Sequence, residues 1–143
     1  MIRKIERTDR EAYLKMAWDF YHSDAVEHPV PKEFLERTFD ELMRSDAYAE
    51  GLILEYEGHT AGYGLLAKTF SQEAGGMVCW IEELYVKPEF RSHGLGREVF
   101  ARLENAGYAR LRLEVEPENV RAVRLYERMG YRILPYQQMI RGN

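Results

Sequence analysis

A glycine-containing junction between a strand and a helix, from Val86 to Arg97, constrains the fold more than any other part of the sequence. An apolar run ends before Pro88, and helical spacing of apolar residues begins around Gly94 and Gly96. Glycines at a helix start let backbone approach an anion, and the exposed N–H groups with the positive end of the helix dipole can hold phosphate oxygens. The junction is therefore either a phosphate-binding loop or an ordinary solvated turn.

The hydrophobic pattern of the whole chain switches between helical and strand periodicity, with no internal repeat or Pro/Gly/Ser-rich linker. This pattern predicts a single mixed α/β domain over residues 1–143. Strands are predicted at Ile2–Ile5, Ala47–Glu55, Thr60–Phe70, Met77–Val86 and Leu111–Val115, with a last strand candidate in Tyr131–Leu134 and Met139–Ile140. Helices are predicted after Thr8 and Asp9, at Pro31–Arg44, from the glycines to Gly107, and at Asn119–Met129.

Composition removes several classes of protein. The chain has 143 residues, one cysteine and a formal charge of −4, from 20 Lys+Arg against 24 Asp+Glu. The acidic balance argues against a broad nucleic-acid surface, and no apolar run approaches the roughly 20 residues of a membrane span. A lone Cys79 excludes an internal disulfide, and four scattered histidines lack metal-ligand spacing. We expect a cytoplasmic protein with no metal site and no nucleic-acid or membrane partner.

Two common glycine-rich nucleotide motifs, Gly-x-x-x-x-Gly-Lys-Ser/Thr and Gly-x-Gly-x-x-Gly near the first strand, do not occur in the chain. The segment Ile81–Gly96 instead closely resembles the acetyl-CoA-binding core of GCN5-related N-acetyltransferases, the GNAT superfamily. A second block, formed by Leu111–Val115, Asn119, Ala122 and Leu125–Tyr131, resembles the family's next conserved segment, in the same order. The resemblance implies an α+β domain whose mixed, mostly antiparallel central sheet is flanked by helices.

The resemblance also implies a binding region for acetyl-CoA as cosubstrate. The backbone of Leu84, Tyr85 and Val86 would pair with the pantetheine arm, and loop amides would bind the pyrophosphate. The loop and its flanking residues are Arg91, Ser92, His93, Gly94, Leu95, Gly96 and Arg97. The helix after Gly96 looks about one turn shorter than is usual in the family, so contacts near its C-terminal end are less safely transferred.

Acetyl transfer to an amine needs a group that removes a proton from the amine and one that protonates the departing thiolate. Glu82 and Glu83 would lie on opposite faces of a regular strand, so only one can easily face a cleft. We favour Glu82, which resembles the strand glutamate of diamine acetyltransferases; Glu83 is the alternative if a β-bulge re-aims the strand. An acidic pair can also be simply solvated or salt-bridged.

Tyr126 and Asn119 are seven residues apart, so both can share one helix face. Tyr126 matches the family's thiolate-protonating tyrosine, and its phenol, with an ordinary pKa of about 10, would carry a proton at neutral pH. Asn119 would contact the cofactor. The structural alternatives are a helix cap for Asn119 and a half-buried core aromatic for Tyr126.

The resemblance leaves the acceptor open. The segment holding Tyr21, His22, Asp24, Glu27 and His28 is either an acidic acceptor pocket or a polar surface loop. We expect direct attack by a small primary amine, such as a polyamine, in a ternary complex, because Cys79 lacks an activating partner and is expected to pack. A peptide or protein amine, a noncatalytic acyl-CoA-binding module and an interaction domain with no nucleotide ligand are the alternatives. The terminal strands could supply a homodimer edge.

Overall fold

The structure is a computed structural model that describes residues 1–24, 26 and 28–142. It divides into two compact units, Met1–Leu113 and the residues from Glu114 onward. The described residues form the strands β1 (Ile2–Lys4), β2 (Ala49–Tyr56), β3 (His59–Ser71), β4 (Gly76–Val86) and β5 (Arg110–Leu113). They form the helices α1 (Arg10–Tyr21), α2 (Lys32–Arg44), α3 (Leu95–Glu104) and α4 (Val120–Arg128), with 3₁₀ turns at Arg7–Asp9 and Pro88–Phe90.

The five strands form one sheet in the order β1-β2-β3-β4-β5. The pairs β1–β2, β2–β3 and β3–β4 are antiparallel, and β5 runs parallel to β4. The predicted mixed, mostly antiparallel sheet flanked by helices is therefore confirmed. The tight turn between β2 and β3 uses Glu57 and Gly58 at φ values of +49° and +80°, the left-handed pair that a two-residue hairpin turn requires.

The core of the first unit lies between α1, α2 and the sheet. Helix α1 buries Tyr13, Met16 and Ala17 at helical spacing, as its sequence predicted. Helix α2 contributes Leu35, Phe39 and Leu42, while Ile53 and Tyr63 close the cluster from the sheet. Full burial of each large side chain stabilises the fold by about 1.5–3 kcal/mol, so these elements hold α1 firmly beside β3 and β4.

Helix α3 and Cys79 also match the sequence analysis. Leu95, Val99 and Leu103 are buried at helical spacing, which fixes the helix that follows the glycine loop. Cys79 is fully buried, and burial raises the pKa of its thiol to about 11. A buried thiol with a raised pKa is a poor nucleophile, so Cys79 packs as expected.

The predicted last strand is wrong. No described residue after α4 belongs to a strand, and Ile133, Met139 and Ile140 are 66%, 95% and 86% exposed. Both apolar stretches are short, and Pro135 between them lacks the N–H that a central ladder position needs. The terminal strand edge on which the homodimer expectation depended is therefore absent from the described residues.

The helices of the described residues are all too short or too polar to cross a bilayer.

Candidate active site

An open groove lies between the end of α1 and the last residues of β4. Its lining residues are Phe20, Ser23, Leu84, Tyr85, Val86 and Arg91. Strand β5 pairs with β4 only over Val78–Ile81, and no other described strand pairs with β4 on that side. The backbone from Glu82 to Val86 thus has an open edge, which can hydrogen-bond an extended ligand as an added strand would.

The loop from Arg91 to Gly94 leads from this edge into α3. Gly94 caps the helix at a φ of +80°, and Ser92 has a φ of +66°. The amide of Glu98 donates to the carbonyl oxygen of Gly94 at 3.1 Å, so the preceding N–H groups in the first turn have no intrahelical acceptor. These N–H groups and the helix dipole suit an anionic ligand such as a pyrophosphate.

The residues of the loop differ in whether they offer a ligand their backbone or a charged side chain. Leu95 is buried and can offer only its backbone, while a Cβ at Gly96 would lie 3.8 Å from Cδ2 of Leu84. Arg97 is exposed. Arg91 is exposed too, although its Nε donates to the carbonyl oxygen of Val86 at 3.0 Å and so braces the loop against β4. The donor set fits the anionic part of acetyl-CoA, and the open edge fits its amide-containing arm.

His93 packs against the hairpin between β2 and β3. Its ring centroid lies 4.5 Å from that of Tyr56, and its Nδ1 lies 3.1 Å from the carbonyl oxygen of Phe90. His93 is exposed, and these two contacts hold the loop in its conformation.

A β-bulge separates the two glutamates of β4. Leu66 pairs with Ile81 while Leu65 pairs with Glu83, so Glu82 is the extra residue. Glu82 is exposed and Glu83 is half-buried. The sequence favours Glu82 for a regular strand and Glu83 for a bulged one, and the structure contains the bulge.

Glu83 accepts hydrogen bonds from two tyrosines. The hydroxyl of Tyr63 donates to its Oε1 at 2.7 Å, and the hydroxyl of Tyr21 donates to its Oε2. Burial raises the pKa of the Glu83 carboxyl, while the two phenol donors act in the opposite direction. A carboxylate whose pKa is shifted towards neutrality is a better proton acceptor at physiological pH than an ordinary glutamate.

Aromatic rings surround this carboxylate. Tyr63 packs edge-on against Tyr13 with centroids 5.2 Å apart, and Tyr85 lies 5.9 Å from Tyr63. Phe20 packs against Tyr21 at 5.1 Å. These rings help to bury the carboxylate, and burial is the largest influence on the raised pKa of Glu83.

Tyr63 was missed by the sequence analysis, and Tyr21 was assigned to the wrong element. Tyr21 is the last residue of α1, so it does not belong to the following loop. Alternation along β3 could have suggested that Tyr63 is buried, but its hydroxyl reaches Glu83 only because of the β3–β4 register and the bulge.

Among the described residues of the loop between α1 and α2, Ser23 is the one that lines the groove. His22 is exposed and stacks on Trp18 with centroids 4.0 Å apart, and its Nδ1 lies 2.8 Å from the Trp18 carbonyl oxygen. Asp24 and His28 are exposed, and Glu27 lies outside the described residues. An acceptor role for these residues stays a prediction.

Asn119 and Tyr126 belong to the second unit. Asn119 caps α4, and its Oδ1 accepts from the amide of Ala122 at 3.2 Å, as the structural alternative predicted. Tyr126 is half-buried, with its ring 6.1 Å from that of Tyr131. Burial raises the pKa of the Tyr126 phenol, so it carries its proton at neutral pH.

No group of three or more His, Cys, Asp or Glu side chains within the described part of the chain has the arrangement of a metal site.

Known proteins resemble this chain in sequence and in fold. The model of the Acetyltransferase (GNAT) family matches residues 10–131. The chain is 31% identical over 108 residues to thialysine N-epsilon-acetyltransferase of Bos taurus, covering 64% of this chain and 63% of that protein. It is 28% identical over 92 residues to spermine/spermidine N(1)-acetyltransferase of Bacillus subtilis (strain 168), covering 59% of this chain and 60% of that protein. The chain thus spans less than two thirds of the length of these two curated relatives.

The fold is similar to the crystal structure of a possible acetyltransferase from Clostridium difficile 630. The TM-score is 0.84 at 19% sequence identity, covering 100% of this chain and 97% of that chain. At this identity the likeness concerns the fold alone.

Proposed function

The chain belongs to the GNAT acetyltransferase family, and we propose that it transfers the acetyl group of acetyl-CoA to the primary amine of a small cationic molecule. The observation that carries this proposal is Glu83, a half-buried carboxylate with a raised pKa on the open edge of β4. Bound acetyl-CoA would supply the acetyl group: a C–N bond to the amine replaces the C–S bond, and the sulfur leaves as a thiolate.

Each role in this proposal goes to a named group of the chain. The open edge of β4 from Leu84 to Val86 binds the pantetheine arm, and the first-turn N–H groups of α3 with Arg91 and Arg97 bind the pyrophosphate. A backbone N–H near Leu84 or Val86 stabilises the charge that develops on the carbonyl oxygen.

Glu83 takes the proton from the amine, directly or through a water molecule, because its pKa is raised while it keeps hydrogen bonds to the core. Exposed Glu82 adds negative charge beside it and attracts the ammonium form of the acceptor. Tyr126 protonates the thiolate. Its role rests on the family resemblance and on a phenol that keeps its proton at neutral pH.

A small cationic acceptor is supported by the adjacent glutamates of β4, Glu82 and Glu83, and by the substrates after which two relatives are named, thialysine and spermine or spermidine. The acceptor in this proposal is a polyamine or a lysine-like amino acid.

Release of free coenzyme A thiol, measured over a panel of polyamines, lysine analogues and peptides, tests the proposal. We expect turnover with at least one small diamine or polyamine, and a kcat lowered about 100-fold in Tyr126→Phe at saturating substrates. Turnover with peptides alone would overturn the small-amine assignment. Tight acetyl-CoA binding without turnover on the whole panel would instead identify a noncatalytic module.

A further inference from the structure

Two tyrosines from different elements converge on the two oxygens of one carboxylate. Tyr63 in β3 donates to Oε1 of Glu83, and Tyr21 at the end of α1 donates to Oε2. Tyr63 has no exposed surface, so its hydroxyl acts on Glu83 from the core side and cannot touch a ligand in the groove without a rearrangement. Each carboxylate oxygen therefore has its own fixed donor.

We propose that Tyr63 is a positioning residue for acetyl transfer, which together with Tyr21 aims the Glu83 carboxylate and keeps it ionised so that it can accept a proton from the amine. This inference rests on the proposed function, because it assigns how the proposed base is prepared. It concerns two residues that do not belong to the motif segment Ile81–Gly96.

The Glu83 carboxylate keeps acceptor positions that the two phenols do not use. An ionised carboxylate has about four acceptor positions, and the two phenols occupy two of them. The remaining positions can accept from an amine or a water molecule, while the two phenol donors prevent rotation of the carboxylate away from it. Hydrogen bonds that favour the charged form oppose the effect of burial on the pKa of Glu83.

Within the described part of the chain, the titratable groups that face Glu83 are tyrosines, with Glu82 next to it on β4. Tyr13 and Tyr21 face it from α1, Tyr63 faces it from β3, and Glu82 precedes it on β4. Among the described residues no lysine or arginine contributes to the pKa of Glu83. The phenol donors are thus the groups that stabilise its negative charge.

The test compares Tyr63→Phe and Tyr21→Phe with a matched control, Tyr13→Phe. Tyr13 is a buried tyrosine packed on Tyr63, but no hydrogen bond of the described residues joins it to Glu83. The titration of Glu83 is followed by carbon-13 NMR of glutamate carboxyl groups in the ligand-free protein, with its signal assigned by its loss in Glu83→Gln. The pH profile of kcat/KM is measured on the same proteins.

We expect each donor variant to move the Glu83 titration to higher pH. We also expect kcat/KM to fall by up to about tenfold at pH values below the Glu83 titration and to approach the wild-type value well above it, since a hydrogen bond to a charged group is worth about one pKa unit or more. Tyr13→Phe should change neither. Tyr21→Phe, at a half-buried site, keeps the test available if Tyr63→Phe does not fold.

An unchanged Glu83 titration in folded Tyr63→Phe and Tyr21→Phe would overturn the proposal, even if the enzyme is active. A loss of rate that is equal at every pH would also overturn it, because it would indicate a merely structural role. If wild-type protein acetylates no amine while the titration still shifts, the proposed function fails and the catalytic role of Tyr63 fails with it, although the hydrogen bonds are verified.

Discussion

Adjacent residues in β4 differ sharply in what they can do. Glu82 is exposed at the bulge, whereas Glu83 is half-buried and accepts from Tyr21 and Tyr63. The difference arises because the bulge places one more residue on β4 than on β3, which returns Glu83 to the face that packs against α1.

Glu83→Gln should lower kcat/KM about 100-fold or more, because a general base contributes rate factors of about 10² to 10⁴. Glu82→Gln removes the same charge one residue away and should cost less than about tenfold, mainly through weaker attraction of a cationic amine. Steady-state kinetics on one amine substrate compares the two. A larger loss for Glu82→Gln would assign the base to Glu82, and equal losses would contradict a distinct role for Glu83.

The sequence predicts an acidic pair at this position but does not distinguish between its two members. An acidic pair ahead of a glycine loop was evident from the residues and the family resemblance. The choice between Glu82 and Glu83 depends on a bulge, and the donors to Glu83 depend on strand register and on where α1 ends. These are tertiary properties, which local residue pattern does not encode.

At the scale of elements, the loop before α3 contains two left-handed residues, Ser92 and Gly94, and Gly94 is the one that caps the helix. Gly58 offers a matched control, since both have a φ of +80° and open space where a Cβ would stand. Gly94→Ala and Gly58→Ala should each destabilise the fold by about 1 kcal/mol through backbone strain.

Only Gly94→Ala should reduce the rise in melting temperature produced by coenzyme A, because only that loop carries the first-turn N–H groups of α3. Thermal melts with and without coenzyme A make the comparison. An identical ligand-induced shift in both variants would contradict the anion-binding role of the loop.

Strand β3 approaches β4 too closely at Gly62 for any side chain. A Cβ there would lie 2.1 Å from the carbonyl oxygen of Tyr85, which is backbone and cannot move alone. A Cβ at Gly64, two residues further along the same strand, would make an ordinary contact of 3.7 Å with Leu52.

Gly62→Ala should therefore destabilise the protein by about 2 kcal/mol or more and weaken coenzyme A binding, since it displaces the edge at Tyr85. Gly64→Ala should change stability by less than about 1 kcal/mol. Denaturant unfolding measures both. A Gly62→Ala protein as stable as Gly64→Ala would show that β4 can shift freely.

The bounds of elements with strong periodicity were predicted to within a few residues. The buried face of α1 and the buried face of α2 were also predicted. The prediction of a final strand was wrong because apolar residues such as Ile133 and Ile140 indicate a tendency to be buried but do not identify the strand they would pair with. A strand exists only where another strand completes its ladder, and a short sequence window contains no information about that.

At the scale of the whole molecule, an ion-pair network ties the short strand β1 to the start of α1. The guanidinium of Arg3 donates to both oxygens of Asp9 at 2.8 Å and lies 3.2 Å from Oε1 of Glu55. The hydrogen bonds from Arg3 lower the pKa of the Asp9 carboxyl below its usual range.

Because the folded-state pKa of Asp9 is lowered, its contribution to stability is present above its unfolded-state pKa and is lost as pH falls through the folded-state pKa. Asp9→Asn should cost about 2 kcal/mol at pH 7 and less at pH 3. Asp46→Asn, which removes an exposed partner of Lys4, should leave the melting temperature nearly unchanged. A pH-independent cost of Asp9→Asn would contradict the linkage.

Because Glu82 is the extra residue of a bulge, the pair Glu82–Glu83 can lose one residue and still place a glutamate opposite Leu65. Leu65 faces Glu83 across the sheet only because β4 carries one residue more than β3 between their paired positions. Removing either glutamate would straighten the strand and still leave a glutamate opposite Leu65, whereas a lone glutamate at position 83 would keep that place only while the extra residue persists. A doublet of identical residues thus lets β4 gain or lose its bulge while a carboxylate remains opposite Leu65.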